Sequence, residues 1–237
     1  MTIASEFAAR KGNVSVGGDA VAKKRLASVA EALAIQKKAE LDAWKAEHDQ
    51  LVRPDFLWHY LLQSFATMGR AAGWHGLIGD QENYDKVRYE VLAELTPEVH
   101  ALQVEEVCRT AKIRMPGVKA RHILGCFERI RQLGGPEAAK QQLLNCTNRA
   151  GKIEFLQAFP GIGPKYARNI MMDVYHEDFR DSIAIDARIK SISDAWRLSF
   201  DSYKTHENFY LSVAAEAGLN GWELDRLMFN FKSAFLP

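Results

Sequence analysis

The sequence predicts an all-α protein, and three observations predict it. No run of residues reads clearly with a period of two, as a half-buried strand would. Along most of the chain, apolar residues recur three and four apart, the spacing of one buried helix face. Proline and glycine clusters (Arg53-Pro54-Asp55, Met115-Pro116-Gly117, Gly134-Gly135-Pro136) separate these stretches and read as stops and starts. The reading comes to about ten helices.

In order, residues 1–19 contain Lys11-Gly12-Asn13 and Gly17-Gly18 with little periodicity and read as a flexible N-terminal arm. From Asp19, read as an N-cap, to about Gln50, Ala22, Leu26, Val29, Ala30 and Leu33 recur at helical spacing. That predicts one long helix or two shorter ones, an N-terminal extension over residues 20–54. Proline disfavours helix in the residue before it, so Arg53-Pro54 ends the extension. Asp55 can then cap Phe56–Phe65, a segment apolar nearly all round, which marks a buried helix and opens a core over residues 55–237. Gly69 to Gly79 reads as a glycine-punctuated loop carrying Trp74 and His75. Helices are expected at 82–94 and 97–107, the second with Thr96 as cap and Pro97 at its first position. In 118–133, Ile123, Leu124, Phe127, Ile130 and Leu133 share a face and Lys119, Arg121, Arg129 and Arg131 lie largely elsewhere. A short helix at 137–145 leads to a hairpin of two helices within 152–175. Ser182-Ile183-Ala184-Ile185 is short enough to be an extended connection, and helices follow at 187–197, 204–217 and 221–234.

Composition is that of an ordinary globular chain, with 47% hydrophobic and 26% charged residues. Neither a membrane span nor a secretory signal is evident. Cys108, Cys126 and Cys146 are spaced for neither a disulfide framework nor a metal or iron–sulfur site, and read as buried thiols in a reducing cytoplasm. The net charge is +1, but seven basic residues between Arg109 and Arg131 face one acid, Glu128. Such a cluster is either a solvated helix face or a local site for a phosphate backbone.

The stretch with most chemistry is Phe159-Pro160-Gly161-Ile162-Gly163-Pro164-Lys165. Its glycines leave backbone N–H groups uncovered, and Pro164 sets the first residue of a helix whose positive end also favours an anion. Such a turn holds DNA by its backbone without reading sequence. Lys165, in the first turn of that helix, sits against the helix dipole. It is either one more phosphate ligand or an amine nucleophile, since the same field with partial desolvation favours the free amine. Asp186 follows Ile183-Ala184-Ile185 and reads as an N-cap, a role compatible with a fixed, ionised carboxylate beside a reacting group. Asp173, Asp178, Asp181 and Asp194 are expected to face solvent.

Together these residues, with Ala167, Ile170 and the Lys119-Ala120-Arg121-His122-Ile123 segment, resemble the helix-hairpin-helix, Gly/Pro-rich, aspartate superfamily of DNA glycosylases. That superfamily includes endonuclease III and the 8-oxoguanine glycosylases, and the resemblance covers roughly residues 55–235. It implies a two-lobed helical fold with the active site in the cleft, and a bifunctional DNA glycosylase/AP lyase of base excision repair. Lys165 would form a Schiff base at the sugar and Asp186 would stabilise the developing charge. Gly161, Ile162, Gly163, Lys119 and Arg121 would contact the DNA backbone. A monofunctional glycosylase, with Asp186 directing water, and a non-catalytic DNA-binding protein are the alternatives.

The segment Trp222–Phe231 is similar to the closing helix of short, cluster-free archaeal-type 8-oxoguanine glycosylases. This suggests an oxidised base, 8-oxoguanine first, and Phe229, Asp225, Trp222 and Trp74 as pocket residues. The partner implied is damaged double-stranded DNA, bound by a monomer in the cytoplasm, or in the nucleus of a eukaryote. No iron–sulfur cluster is expected, nor any cofactor beyond a monovalent cation at the hairpin turn. Two further departures stand out: Lys165 to Asp186 is slightly long, with 175–180 as the insertion, and Gln63 is out of register with the glutamine that fills the hole left by a flipped base.

Overall fold

A computed structural model describes residues 16–46, 49–69 and 71–237; most of the expected N-terminal arm, residues 1–15, lies outside them. Among the described residues there are fourteen α-helices and no strand. They are α1 (Val16–Gln36), α2 (Lys38–Ala46), α3 (Phe56–Thr67), α4 (Ala72–Leu77), α5 (Gln81–Lys86), α6 (Tyr89–Ala93) and α7 (Pro97–Thr110), then α8 (Pro116–Gln132), α9 (Pro136–Leu144), α10 (Arg149–Gln157), α11 (Pro164–Met172), α12 (Ala187–Ala195), α13 (Tyr203–Glu216) and α14 (Gly221–Asn230). None of the helices is long and apolar enough to cross a membrane.

The chain divides into two compact units, one over Ala43–Phe179 and one combining the described part of Met1–Asp42 with Arg180–Pro237. In the first, α3 is the centre. Phe56, Leu57, Trp58, Leu61, Leu62 and Phe65 are all buried, because the helix meets α4, α8, α9 and α11. Helix α7 pairs with α8, which packs on α3, and α10 and α11 form the hairpin. In the second unit, Ala22, Leu26 and Ala30 of α1 are buried where α1 packs on α13 and α14. The compact units therefore do not follow the linear division at residue 55, since residues 20–42 pack with the C-terminal helices.

Several local expectations are corrected. Helix α1 begins at Val16, which places Asp19 in its first turn, a favourable site for an acid against the dipole. Asp55 does not cap α3. Its carboxylate accepts two bonds of 2.9 Å from the Arg53 guanidinium, and Tyr84 Oη lies 3.3 Å from it. Thr96 makes no side-chain cap bond, although Pro97 does open α7. The helix expected at 82–94 is two, broken at Val87, whose carbonyl accepts the buried Trp58 Nε1–H at 2.8 Å. The supposed loop 69–79 contains α4, where Gly73 lies against the backbone of Ala66 with no room for a side chain.

Candidate functional site

The hairpin lies wholly within the unit over Ala43–Phe179. Asn148 caps α10, accepting from the Gly151 N–H at 3.0 Å. Beyond α10 the buried Phe159 anchors the turn, with the Arg129 guanidinium 5.1 Å from its ring centroid. Gly161 has a φ of +81°, which a residue with a side chain rarely adopts. Ile162 is 5% exposed and its N–H donates to the Phe159 carbonyl at 3.1 Å. Gly163 is the N-cap of α11, which receives no side-chain cap bond. Among the described residues the Gly163 N–H has no acceptor, so the turn keeps a donor for an outside group.

Lys165 is the second residue of α11 and half-buried, with Nζ 3.9 Å from the centroid of the Tyr166 ring. Behind it Ala167, Ile170 and Met171 are buried. The far end of α11 is tied to α3 through Asp173, whose Oδ2 accepts from Gln63 Nε2 at 2.9 Å and Asn169 Nδ2 at 2.8 Å. Asp173 is therefore half-buried rather than solvent-facing, and Gln63 is engaged within the protein. Asp178 is likewise occupied, by Lys152 at 2.7 Å, while Asp181 and Asp194 are exposed.

The basic cluster separates into parts. Arg109 pairs with Glu105 at 2.5 Å and Arg131 with Glu128 at 2.7 Å. Arg121 is exposed, and Lys119 is half-buried with Nζ 2.6 Å from Met68 Sδ and 5.7 Å from the Phe65 centroid. Burial, and then the charge of Arg114, hold the Lys119 ammonium below its ordinary pKa.

Asp186 belongs to the other unit, and its setting is built differently. Its Oδ1 accepts from the backbone N–H groups of Arg188 and Ile189 at 2.8 and 3.0 Å, capping α12. Oδ2 lies 3.5 Å from Arg188 Nη1. The segment leading to it is neither helix nor strand, the Ile185 N–H also lies 3.2 Å from the Ile183 carbonyl, and side chains meet its backbone. The Ile183 N–H donates to Glu207 at 3.2 Å and the Ala184 N–H to Asp225 at 2.8 Å. Tyr203 Oη donates to the Ile183 carbonyl and accepts from the Ile185 N–H, both at 2.9 Å. A carboxylate on so fixed a stem is held in direction.

The pocket candidates fall into two groups. Phe229 is 45% exposed and Trp74 38%, so both offer ring surface. Trp222 is fully buried, and Asp225, at 4% exposure, has its carboxylate engaged by Ala184. Sequence reasoning misses Tyr203 and Glu207, whose partners lie about twenty residues away with no local signal. It also misses Arg188, whose guanidinium carbon is 4.0 Å from the Phe229 centroid; a cation in a helix's first turn, the signal that marks Lys165, points to it too. Among the described residues, no three His, Cys, Asp or Glu side chains are grouped to hold a metal ion. Cys108 and Cys126 are buried, and burial pushes the Cys108 thiol up to about 12.

No family model matches the chain, and no curated protein matches it. Solved structures do. The 8-oxoguanine DNA glycosylase of Methanocaldococcus jannaschii matches with a TM-score of 0.66 at 17% identity, over 94% of this chain and 98% of that one. The 8-oxoguanine DNA glycosylase of Thermotoga maritima matches with 0.66 at 15%, over 88% and 96%. An M. jannaschii 8-oxoguanine glycosylase/lyase bound to a 15mer DNA containing 8-oxoguanine matches with 0.68 at 17%, over 88% and 97%. Over nearly its whole length, this chain has the all-α fold of the 8-oxoguanine DNA glycosylases.

Proposed function

We propose that this chain is a DNA glycosylase of base excision repair with AP-lyase activity, excising an oxidised base, 8-oxoguanine first, from double-stranded DNA. The observation that carries the reading is Lys165, set in the first turn of α11 directly behind a glycine turn with an open N–H. Helix stability does not favour a lysine there, whereas an amine brought to a DNA backbone does. The fold likeness supports the same reading, as does the glycosylase/lyase bound to damaged DNA among the solved structures.

The chemistry follows from the groups present. The turn around Gly161, Ile162 and Gly163, with Lys119 and Arg121, holds the phosphate backbone without reading sequence. The damaged nucleotide leaves the stack, its base resting on an exposed aromatic face, Phe229 or Trp74, with Gln63 released from Asp173 to fill the gap. The Lys165 amine attacks C1′ as the bond from C1′ to the base breaks. The electron pair departs with the base, which takes up a proton. Asp186 stabilises the positive charge that grows on the sugar. Ring opening converts the adduct to a Schiff base. Loss of a C2′ proton then expels the 3′ phosphate, and water hydrolyses the imine to return Lys165.

Borohydride trapping on damaged duplex tests this directly. A covalent protein–DNA adduct, absent in Lys165→Gln, is the expected result. Base release without an adduct makes the chain monofunctional, and binding without product makes it a non-catalytic module. A base-release panel of 8-oxoguanine, thymine glycol, uracil and alkylated purines assigns the lesion.

A further inference from the structure

We propose that His122 is a positioning residue for DNA binding, acting through the seat it gives Gly161 in the hairpin turn. Gly161 lets the turn seat on His122, and that seat sets the direction of the Gly163 N–H, already assigned above to the phosphate backbone. The DNA half of this inference rests on the function proposed above.

The asymmetry lies in what a side chain would meet at each position. A Cβ on Gly161 would run into Nδ1 of His122 and stand 2.8 Å from its Cγ and 3.0 Å from Cε1 of Phe65. The bare side of Gly161 therefore faces the protein, and its φ of +81° adds a second reason for glycine. A Cβ on Gly163 would meet nothing within 4 Å, and its φ of −95° and ψ of −177° suit any residue. Neither packing nor conformation requires glycine at 163. What it supplies there is an uncovered N–H two residues before Lys165, at the start of α11. Ile162 between them is buried and its N–H is already used, so Gly163 is where a phosphate oxygen can come close.

His122 fills the space beneath Gly161 by shape. Its ring lies 5.9 Å from that of Phe65 at 40°, and its buried Nδ1 has no hydrogen-bond partner among the described residues. Burial, and then the charges of Lys119 and Arg121 on the same helix, lower its pKa. A ring biased to the neutral form offers a phosphate little charge, so His122 acts through the turn it supports.

The test measures thermal midpoints together with affinity for a short undamaged duplex at several salt concentrations. Gly163→Ala keeps the N–H but sets a methyl in the open space beside it, and should weaken binding about tenfold with the midpoint held or slightly raised. Gly161→Ala should lower the midpoint, and adding His122→Ala should recover part of the loss, a coupling expected only of residues in contact. His122→Ala alone should weaken binding about threefold without changing the salt slope, whereas Lys119→Ala should reduce that slope by about one. His122→Phe, which keeps the ring, should restore binding. Tight binding by Gly163→Ala, absence of coupling between 161 and 122, or a reduced salt slope in His122→Ala would each overturn the inference. Should the wild-type chain bind no DNA, the functional reading fails, and the coupling between 161 and 122 still decides whether the turn seats on His122.

Discussion

The starts of α11 and α12 answer the same problem in opposite ways. Each helix leaves backbone N–H groups open at its N-terminus, and each carries a cation in its first turn, Lys165 in one and Arg188 in the other. At α12 the donors are met from within, by Asp186 Oδ1, and the cation lies beside Asp186 Oδ2. At α11 the capping position is Gly163 and no side chain caps. The first start is closed on itself, with a carboxylate fixed in place. The second has glycine at the cap, and the Gly163 N–H has no acceptor among the described residues. One helix start is suited to hold a charge still and the other to receive a ligand.

The largest expected effect breaks the receiving side. Lys165→Gln removes the amine and leaves the turn intact, so trapping should vanish and base release fall roughly a thousandfold or more. Binding to damaged duplex, measured by anisotropy, should stay within a few-fold. If trapping survives, Lys165 is not the nucleophile.

On the closed side the two roles of Asp186 can be separated, because asparagine caps a helix about as well as aspartate. Asp186→Asn should leave the thermal midpoint nearly unchanged and slow single-turnover base release roughly a hundredfold, as loss of a placed charge does elsewhere. Asp186→Ala should show the same slowing and also lose about 1 kcal/mol of stability with the cap. Equal rates for wild type and Asp186→Asn would reduce Asp186 to a cap.

A third experiment asks what holds that carboxylate in direction. Asp225→Leu leaves the buried Ala184 N–H without its acceptor, at a cost of about 1–3 kcal/mol, and should slow base release by loosening the stem of Asp186. Asp225→Asn retains an acceptor oxygen and should be mild on both measures. A change of lesion preference in Asp225→Asn, with stability kept, would instead return Asp225 to the base pocket.

The difference between the two starts also explains what could be read in advance. The glycines, prolines and lysine of the hairpin turn lie in seven consecutive residues, Phe159–Lys165, though its seat on His122 does not, and the capping role of Asp186 depends on its own neighbours. The stem of Asp186 depends on Tyr203, Glu207 and Asp225, which no local pattern connects to Ile183. Trp222, Asp225 and Phe229 share one helix face by spacing, and spacing does not tell which end of it enters the core; only the Phe229 end is exposed. Glycines lower helix propensity, so α4 reads as loop, although Gly73 is required there by close approach to Ala66. Helix α1 finds its partners in α13 and α14, far along the chain, and so reads as a separate extension.

The smallest expected effect concerns what anchors α12 behind Asp186. Ser193 of α12 lies 2.8 Å from His206 Nε2 and 2.9 Å from Tyr210 Oη, and Phe200 stacks on the histidine ring with centroids 4.2 Å apart. Burial, and then the charge of Lys190, push His206 down from 6.5 to about 4, with Asp194 opposing. The unfolded chain takes up this proton near pH 6.5 and the folded chain only near pH 4. Between those values the unfolded state binds more protons, so the contribution is complete above pH 6.5 and is lost as pH falls through the window. In the other unit His59 behaves alike, lowered to about 4 by burial and then by Arg53. Wild-type stability in urea should therefore decline from pH 6.5 towards pH 4. In His206→Gln the slope should be shallower by up to about 1.4 kcal/mol per pH unit, one proton's share, with the share of His59 remaining. An unchanged slope would mean that His206 already carries its proton in the folded protein, and that α12 is anchored by a charged network instead of a neutral one.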